Sequence, residues 1–446
     1  MARARNSIRG YLTSFRMILI SFILIILIGA VLLSLPFASK GDEAVSFLNA
    51  LFTSTSAACV TGLVVFDTAT QWTLFGKAVI LVLIQIGGLG VITMAVAVLS
   101  ITGRQIGLLP RLAIQDAVSA PELGSAVRFM RFLVTGTFCI EGIGALCMFP
   151  VFAGQFGPVT GLGYAVFHSI SAFCNAGFDL MGKKAPFSSL TSFSADPLIN
   201  IVIMLLIILG GLGFLTWSDL IACRFRLKRL RLQSKIILTS TAVLILLPFL
   251  FFYFLEFRTY SGIERILVSL FQSVTPRTAG FNTADYASMS EGSWLITIML
   301  MMIGGAPGST AGGMKVTTMT ILILASGTFL RRRSHVNCFR RRIETDALQN
   351  AMALLTLYII LLLAGTLLIA TIEGIPILAS MFECASALGT VGLTTGITTG
   401  LCAFSKIVLI AFMFFGRVGG FTLGYSFASA AKVNPGILPV EKISVG

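Results

Sequence analysis

The sequence predicts an all-α polytopic membrane protein: four span–pore-helix–span repeats around a central pore, with eight transmembrane helices and four re-entrant pore helices. Three observations predict it. Apolar residues make up 56% of the 446 positions before the 44 glycines are counted, charged residues are 11%, and mean hydropathy is +0.95. A soluble domain carries about 25% charged residues, and no soluble globule could hide this much apolar surface. The apolar runs fall into two length classes, and one motif recurs four times.

The long runs, each near or above the roughly 20 residues a bilayer crossing needs, lie near 17–36, 74–101, 129–153, 198–222, 236–256, 294–329, 347–372 and 405–431. The first follows Arg3, Arg5, Arg9 and Arg16, as a signal peptide would. Its apolar core exceeds the 7–15 residues of a signal-peptide core, so it reads as a retained helix. Shorter runs at 45–58, 163–174, 263–275 and 377–388 cannot cross, and suit re-entrant helices. Each follows an odd-numbered span and precedes an even-numbered one. The repeats therefore cover 1–102, 103–223, 224–330 and 331–446, in one integral membrane domain.

The net charge of +14 (32 Lys+Arg against 18 Asp+Glu) is explained by position. With the amino terminus inside, segments 1–16, 102–131, 223–235, 330–346 and 432–446 hold 22 of the 32 basic residues. That is the positive-inside pattern, with both termini cytoplasmic. The basic residues are spread over short segments with no basic domain, so nucleic acid is excluded as a partner and membrane lipid is the expected surroundings. The two densest clusters, at 224–235 and 331–342, face where a cytosolic partner would dock.

The eight cysteines form no metal-ligand spacing and read as small buried hydrophobes. His168 and His335 are too few for a metal site, and no cofactor motif is present. Glu141 and Glu383, the two acids within membrane segments, have no matching partner for intramembrane catalysis, so the chain is read as a non-enzyme.

The recurring motif reads ALFTSTSAACVTGL (50–63), AVFHSISAFCNAGF (165–178), SLFQSVTPRTAGF (269–281) and SMFECASALGTVGL (380–393). Phe52, Phe167 and Phe382 stand ten residues before Gly62, Gly177 and Gly392, and Phe271 stands nine before Gly280. The second spans match too: QIGGLG (85–90), ILGGLG (208–213), MIGGAPGSTAGGMK (302–315) and FFGRVGG (414–420). Packing of close helices is an alternative role for the GGLG pairs. Backbone that leaves a helix within lipid is tolerable only where it lines a watery path. Four such turns around one axis would present carbonyls that replace the hydration shell of a cation, with glycine admitting φ/ψ values a Cβ forbids.

The third repeat departs from the others. Gly304 to Gly313 holds five glycines, Pro307, Ser309 and Thr310, through which a helix cannot run at low cost. A broken helix is expected here, with a loop at mid-membrane able to obstruct the pore and move aside. Lys315 and Arg417 are basic residues inside membrane segments, where a cation is costly and needs a polar partner. Arg417 is expected beside the loop, raising the barrier to cations and holding the closed state. Arg277 and Asn175, beside or in the turns, offer donors to brace pore-helix carbonyls.

PRTAGF (276–281), GGAPGSTAGGMK (304–315) and the four turn glycines resemble the superfamily of K⁺ transporters comprising Trk, Ktr and plant HKT proteins, over about 20–430. The length and span count look most like the bacterial Ktr-type membrane subunit. The resemblance implies K⁺ uptake across the plasma membrane, driven by membrane potential. It implies a homodimer with one pore per chain, and a cytosolic ring of nucleotide-binding, RCK-type regulatory subunits. Carried over residue by residue, the family's selectivity filter maps to Val60, Thr61 and Gly62; Asn175, Ala176 and Gly177; Thr278, Ala279 and Gly280; and Thr390, Val391 and Gly392. K⁺ would be held at filter carbonyls only. The gate maps to Gly304, Gly305, Ala306, Pro307, Gly308, Ser309, Thr310, Ala311, Gly312 and Gly313, with Lys315 and Arg417. Gly62 stands where some Na⁺-selective plant relatives carry serine, which favours K⁺. Stimulation by Na⁺ belongs to the resemblance and is written in no residue. A Na⁺-preferring or Na⁺/K⁺-coupled transporter on the same scaffold stays open.

Overall fold

The computed structural model describes residues 14–40, 45–90, 126–183 and 185–419. Taken by the expected repeats, helices α1 (Ser14–Leu33), α2 (Phe47–Ala58) and α3 (Leu74–Leu89) fall in the first. The second holds α4 (Ala126–Phe156), α5 (Pro158–Phe173), α6 (Pro197–Gly211) and α7 (Phe214–Ala222). The third holds α8 (Leu232–Phe251), α9 (Gly262–Val274), α10 (Glu291–Met302) and α11 (Val316–Leu330), and the fourth α12 (Thr345–Glu373), α13 (Ile377–Gly389) and α14 (Ala403–Val418). Between α11 and α12, β1 (Asn337–Cys338) and β2 (Arg341–Arg342) pair antiparallel within the second basic cluster. The expected boundary at 102/103, the cytoplasmic segments 1–13, 102–125 and 432–446, and the ends of the spans at 74–101 and 405–431 lie outside the described residues.

The two halves of a repeat are built differently. Phe129–Phe156, Leu232–Glu256 and Thr345–Glu373 are continuous helices long and apolar enough to cross a bilayer. The second half of the second repeat reaches that length only as a pair, α6 and α7, bent by 92°. A glycine three residues past the first of the pair explains the interruption. Gly90 (φ 86°), Gly213 (φ 85°) and Gly419 (φ 88°) take a left-handed conformation that closes α3, breaks α6 from α7 and closes α14. The single long span expected over 198–222 is therefore broken, because GGLG supplies a residue that leaves the helix at no Cβ cost. In the third repeat the same level is taken by the whole 303–315 segment, which is non-helical as expected.

Loop residues start the second halves. Thr73 caps α3 through Gly76 N–H (3.3 Å), Asp196 caps α6 through Leu198 and Ile199 N–H (2.9 and 3.1 Å), and Ser290 caps α10 through Ser293 N–H (3.3 Å). The short helices at the expected pore-helix positions, called pore helices for that expectation, are α2, α5, α9 and α13, of 12, 16, 13 and 13 residues. Phe52, Phe271 and Phe382 are wholly buried and Phe167 nearly so, so the repeated phenylalanine anchors each pore helix in the core.

Candidate functional site: a ring of four turns above a glycine-rich loop

Each pore helix ends in a turn of one backbone pattern. Val60, Asn175, Thr278 and Thr390 have φ of 58°, 57°, 69° and 51°. Two residues later Gly62, Gly177, Gly280 and Gly392 have φ of 89°, 69°, 82° and 90°, and the residue between is not left-handed. Non-glycine residues take such φ values rarely, and four at one register mark a specified geometry.

The four turns meet in a closed cycle. A Cβ added to Gly62 would lie 2.5 Å from the Ala176 carbonyl oxygen; on Gly177, 2.8 Å from that of Ala279; and on Gly280, 2.5 Å from that of Val391. On Gly392 it would run into the Thr61 carbonyl oxygen, which closes the ring in the order first, second, third, fourth repeat. Glycine is thus required twice, by its φ and by the neighbouring turn's backbone. All twelve residues of the turns are buried.

The N–H groups of the turns are held from behind. Thr61, Ala176 and Val391 N–H donate to the carbonyls of Ser56 (2.8 Å), Ser171 (2.7 Å) and Ser386 (2.8 Å), and Ala279 N–H donates to that of Thr275 (3.0 Å). The hydroxyls of the same four residues finish the job. Ser56 and Ser386 accept from Gly62 and Gly392 N–H at 3.0 Å, while Ser171 and Thr275 donate to the carbonyls of Phe178 (2.7 Å) and Phe281 (2.5 Å). Sequence reasoning missed this set. Its signal was a hydroxyl residue six positions before the glycine, five in the shorter third copy. None of the twelve carbonyl oxygens of the turns accepts a hydrogen bond from another described residue. With nine of the twelve N–H groups tied back and the carbonyls left free, the ring's available chemistry is mainly carbonyl oxygen, the ligand type that suits a bare alkali cation.

The 303–315 segment lies directly against this ring and is tied to the second and fourth repeats. Ala306 and Thr310 N–H donate to the carbonyls of Gly211 (2.9 Å) and Gly210 (3.2 Å), and the Thr310 hydroxyl donates to Phe173 carbonyl (3.0 Å) at the end of α5. Gly313 N–H donates to Gly416 carbonyl (3.0 Å). Gly312 abuts the side chain of Thr390, and a Cβ on Gly313 would lie 2.9 Å from Gly389 carbonyl, so the loop touches the fourth turn itself. The matching glycines Gly87, Gly210 and Gly416 each pack on a carbonyl at the end of a pore helix, of Ala58, Phe173 and Leu388. They are packing glycines, one register position in three repeats.

Arg417 reaches under the ring. Its guanidinium donates to the carbonyls of Thr310 in the loop and of Gly87 and Gly88 in α3, the last at 3.1 Å. No ion pair to it is formed by a described acidic residue, so its charge is met by carbonyl dipoles alone. Lys315 folds back onto the loop, donating to Ala311 (2.8 Å) and Gly312 (3.3 Å) carbonyls.

Asn175 takes the expected bracing role. With its nitrogen turned to the carbonyls it donates to Ala172 (3.0 Å) and Ile207 (3.3 Å). Arg277 does not. Its guanidinium donates to the Thr241 hydroxyl of α8 (3.0 Å), the acceptor that the packing of α8 leaves beside it. Glu141 accepts from the Gln85 amide (3.1 Å), and Glu383 accepts from threonines of the loop beyond the fourth turn. Neither acid pairs with a described cation. In the loops beyond the ring, Asp67 accepts from Phe187 N–H of the second repeat (3.0 Å), and burial beside Asp67 pushes the Asp179 carboxyl up to about 7.

Comparison with known proteins agrees with this architecture. The TrkH family of cation transport proteins matches residues 6–432. The chain is 40% identical over 421 residues to the Ktr system potassium uptake protein B of Bacillus subtilis, covering 93% of each chain. It is 36% identical over 458 residues to the potassium/sodium uptake protein NtpJ of Enterococcus hirae, covering 100% of both. Its fold is similar to the crystal structure of the potassium transporter TrkH from Vibrio parahaemolyticus, with a TM-score of 0.70 over 91% of this chain and 84% of that one, at 22% identity. With a fourfold ring of turns, a loop against it and a family match over nearly its full length, the chain belongs to the TrkH family of cation transport proteins.

Proposed function

We propose that this protein takes up K⁺ through a channel-like pore whose selectivity filter is the ring of turns at 60–62, 175–177, 278–280 and 390–392. The observation that carries the reading is the closed cycle of four glycines with most donors tied back and the carbonyls free. A cation entering the ring exchanges water oxygens for carbonyl oxygens already in place, so dehydration is compensated without reorganising the protein. The pore helices end at the ring, and their carbonyl ends add negative potential there. In this reading the helices make eight spans and four re-entrant segments. The membrane potential supplies about 2.3 kcal/mol per charge per 100 mV, enough for uptake without a nucleotide site in this chain.

The 304–313 loop is the gate in this reading. It crosses beside the ring, held by backbone hydrogen bonds to the second and fourth repeats, and Arg417 adds positive charge on the ion's path. Opening requires those bonds to be exchanged, a switch that a regulatory partner at the basic loops could drive. Relatives named as proteins of a Ktr system support a further component beside this chain; in this reading it is a cytosolic, nucleotide-binding subunit, and the chain is a homodimer in a bacterial plasma membrane with both termini inside. The likeness to a potassium/sodium uptake protein supports a second reading, in which Na⁺ is carried or stimulates transport.

The test is K⁺ and Na⁺ uptake by purified protein in proteoliposomes, comparing wild type with Gly62→Ser. Wild type should prefer K⁺, and the variant should lose about tenfold of that preference, since overpacking at this level costs 1–3 kcal/mol. An unchanged K⁺/Na⁺ ratio would mean the ring is not the filter. A wild-type preference for Na⁺ would favour the second reading.

A further inference from the structure

Beyond each turn the chain leaves the ring as an arm, and something must fix its path. One register position does so in three repeats. The residue after the repeated phenylalanine is Thr53, His168, Gln272 and Glu383 in the four pore helices. His168, wholly buried, accepts through Nε2 from Leu180 N–H (3.3 Å), three residues past Gly177, and is oriented by Tyr164 carbonyl on its other nitrogen (2.7 Å). Gln272, wholly buried, donates through Nε2 to Ala284 carbonyl (3.3 Å), four residues past Gly280. Glu383, wholly buried, takes the most. Its Oε1 accepts from the Thr394 hydroxyl and from Thr395 N–H (3.2 Å), and its Oε2 accepts from the Thr398 hydroxyl (2.9 Å). The first arm lacks this tie. Thr53 donates to Asn49 carbonyl within its own helix (3.0 Å), and the arm is instead fastened farther out by Asp67, which caps Ala69 and Thr70 and holds Phe187 of the second repeat.

We infer that this register position is a set of positioning residues for ion selection, with Glu383 as its strongest member. The inference rests on the reading of the ring as the filter. Free carbonyls discriminate between cations only while their spacing is held, and the N–H ties behind each turn hold one side of it. The Phe-adjacent side chains hold the other side, at the second to sixth residue beyond the glycine. Three bonds from the arm converge on one carboxyl at Glu383, against one each at His168 and Gln272. The fourth turn is also the one whose Thr390 rests on Gly312, so an arm fixed by Glu383 keeps that turn in place when the loop moves.

The experiment compares Glu383→Ala, Glu383→Gln and Gln272→Leu with wild type in proteoliposomes, reading the K⁺/Na⁺ preference and, separately, KM and maximal rate for K⁺. Monodispersity in detergent shows that each variant is folded. Glu383→Ala should lower the preference about tenfold, the loss of one or two net hydrogen bonds. Glu383→Gln should recover most of it, because its oxygen still accepts from Thr394 and Thr395 and its nitrogen can donate to the Thr398 hydroxyl. Gln272→Leu should lower it less than Glu383→Ala, having one bond to lose. The inference is overturned if Glu383→Ala keeps the wild-type preference, or if Glu383→Gln is as impaired as Glu383→Ala, which would assign the effect to charge. Gly62→Ser in the same series separates the two levels: if it too keeps the wild-type ratio, the filter reading fails, and if it alone changes the ratio, only the positioning role fails.

Discussion

The ring of turns and the layer beside it are built from the same four repeats, yet one is regular and the other is not. In the ring, every repeat contributes a left-handed residue, an intervening residue and a left-handed glycine, each backed by a hydroxyl at matching register. In the adjoining layer, three repeats contribute a packing glycine and, three residues later, a left-handed glycine, Gly90, Gly213 or Gly419, while the third contributes the whole 303–315 segment. The difference teaches where near-symmetry is useful. A cation surrounded by carbonyls needs equivalent ligands from all sides. An obstruction needs one segment that crosses and others that receive it, and the carbonyls of Gly210, Gly211 and Gly416 are receivers, accepting from the loop's Thr310, Ala306 and Gly313 N–H.

The comparison can be broken most strongly at the ring. Gly392→Ala places a methyl group against the Thr61 carbonyl, and K⁺ uptake should fall roughly tenfold to a hundredfold, as 1–3 kcal/mol of overpacking implies. Radiotracer influx checks it, and near-normal influx would mean the turns do not meet in the working protein. At the loop the sign should reverse. Arg417→Ala removes a charge and its carbonyl contacts to Thr310, Gly87 and Gly88, so K⁺ flux without a regulatory subunit should rise about tenfold. Unchanged flux would remove Arg417 from gating. Thr310→Val deletes one hydroxyl bond to Phe173 carbonyl and keeps the loop's backbone ties, so flux should rise only about threefold. A larger rise than for Arg417→Ala would show that the α5 contact, not the charge, holds the loop.

The smallest effect lies in the loops beyond the ring. Asp179 is raised from the ordinary 3.8 to about 7 by burial, with Asp67 adding to it. The folded protein therefore binds this proton more tightly than the unfolded chain. Its contribution to stability is full below about pH 4 and is lost as pH rises through 7. Asp179→Asn should flatten the fall in melting temperature between pH 5 and 8 by roughly 2–4 °C, read by thermal unfolding in detergent. An equally steep profile in the variant would place the proton elsewhere.

Much of the site was legible because repeats make local spacing informative. A phenylalanine ten residues before a glycine, kept with one deletion through four copies, located all four turns before any contact was known. The glycine-rich 304–313 stretch identified itself as non-helical through composition alone. The Ser56, Ser171, Thr275 and Ser386 backing set was equally present in the aligned copies and went unread, because hydroxyl residues are common in such helices. The break at Gly213 went unread for a different reason. GGLG is compatible with close helix packing and with a bend, and hydropathy does not separate them.

What the sequence determined by itself was each repeat's internal order: apolar span, short helix, left-handed turn, glycine-marked second span. Those features depend on propensity, spacing and the φ freedom of glycine, which are properties of a few neighbouring residues. Only the tertiary structure decided that the turns follow one another cyclically, with Thr61 carbonyl closing on Gly392 across some 330 residues of chain. It also decided that Arg417 bridges α3 and the loop, that Arg277 donates to Thr241, and that Glu383 gathers Thr394, Thr395 and Thr398. The physical reason is that a buried donor or cation takes whichever acceptor the closed packing leaves beside it, and which acceptors those are is fixed when the repeats close on one another.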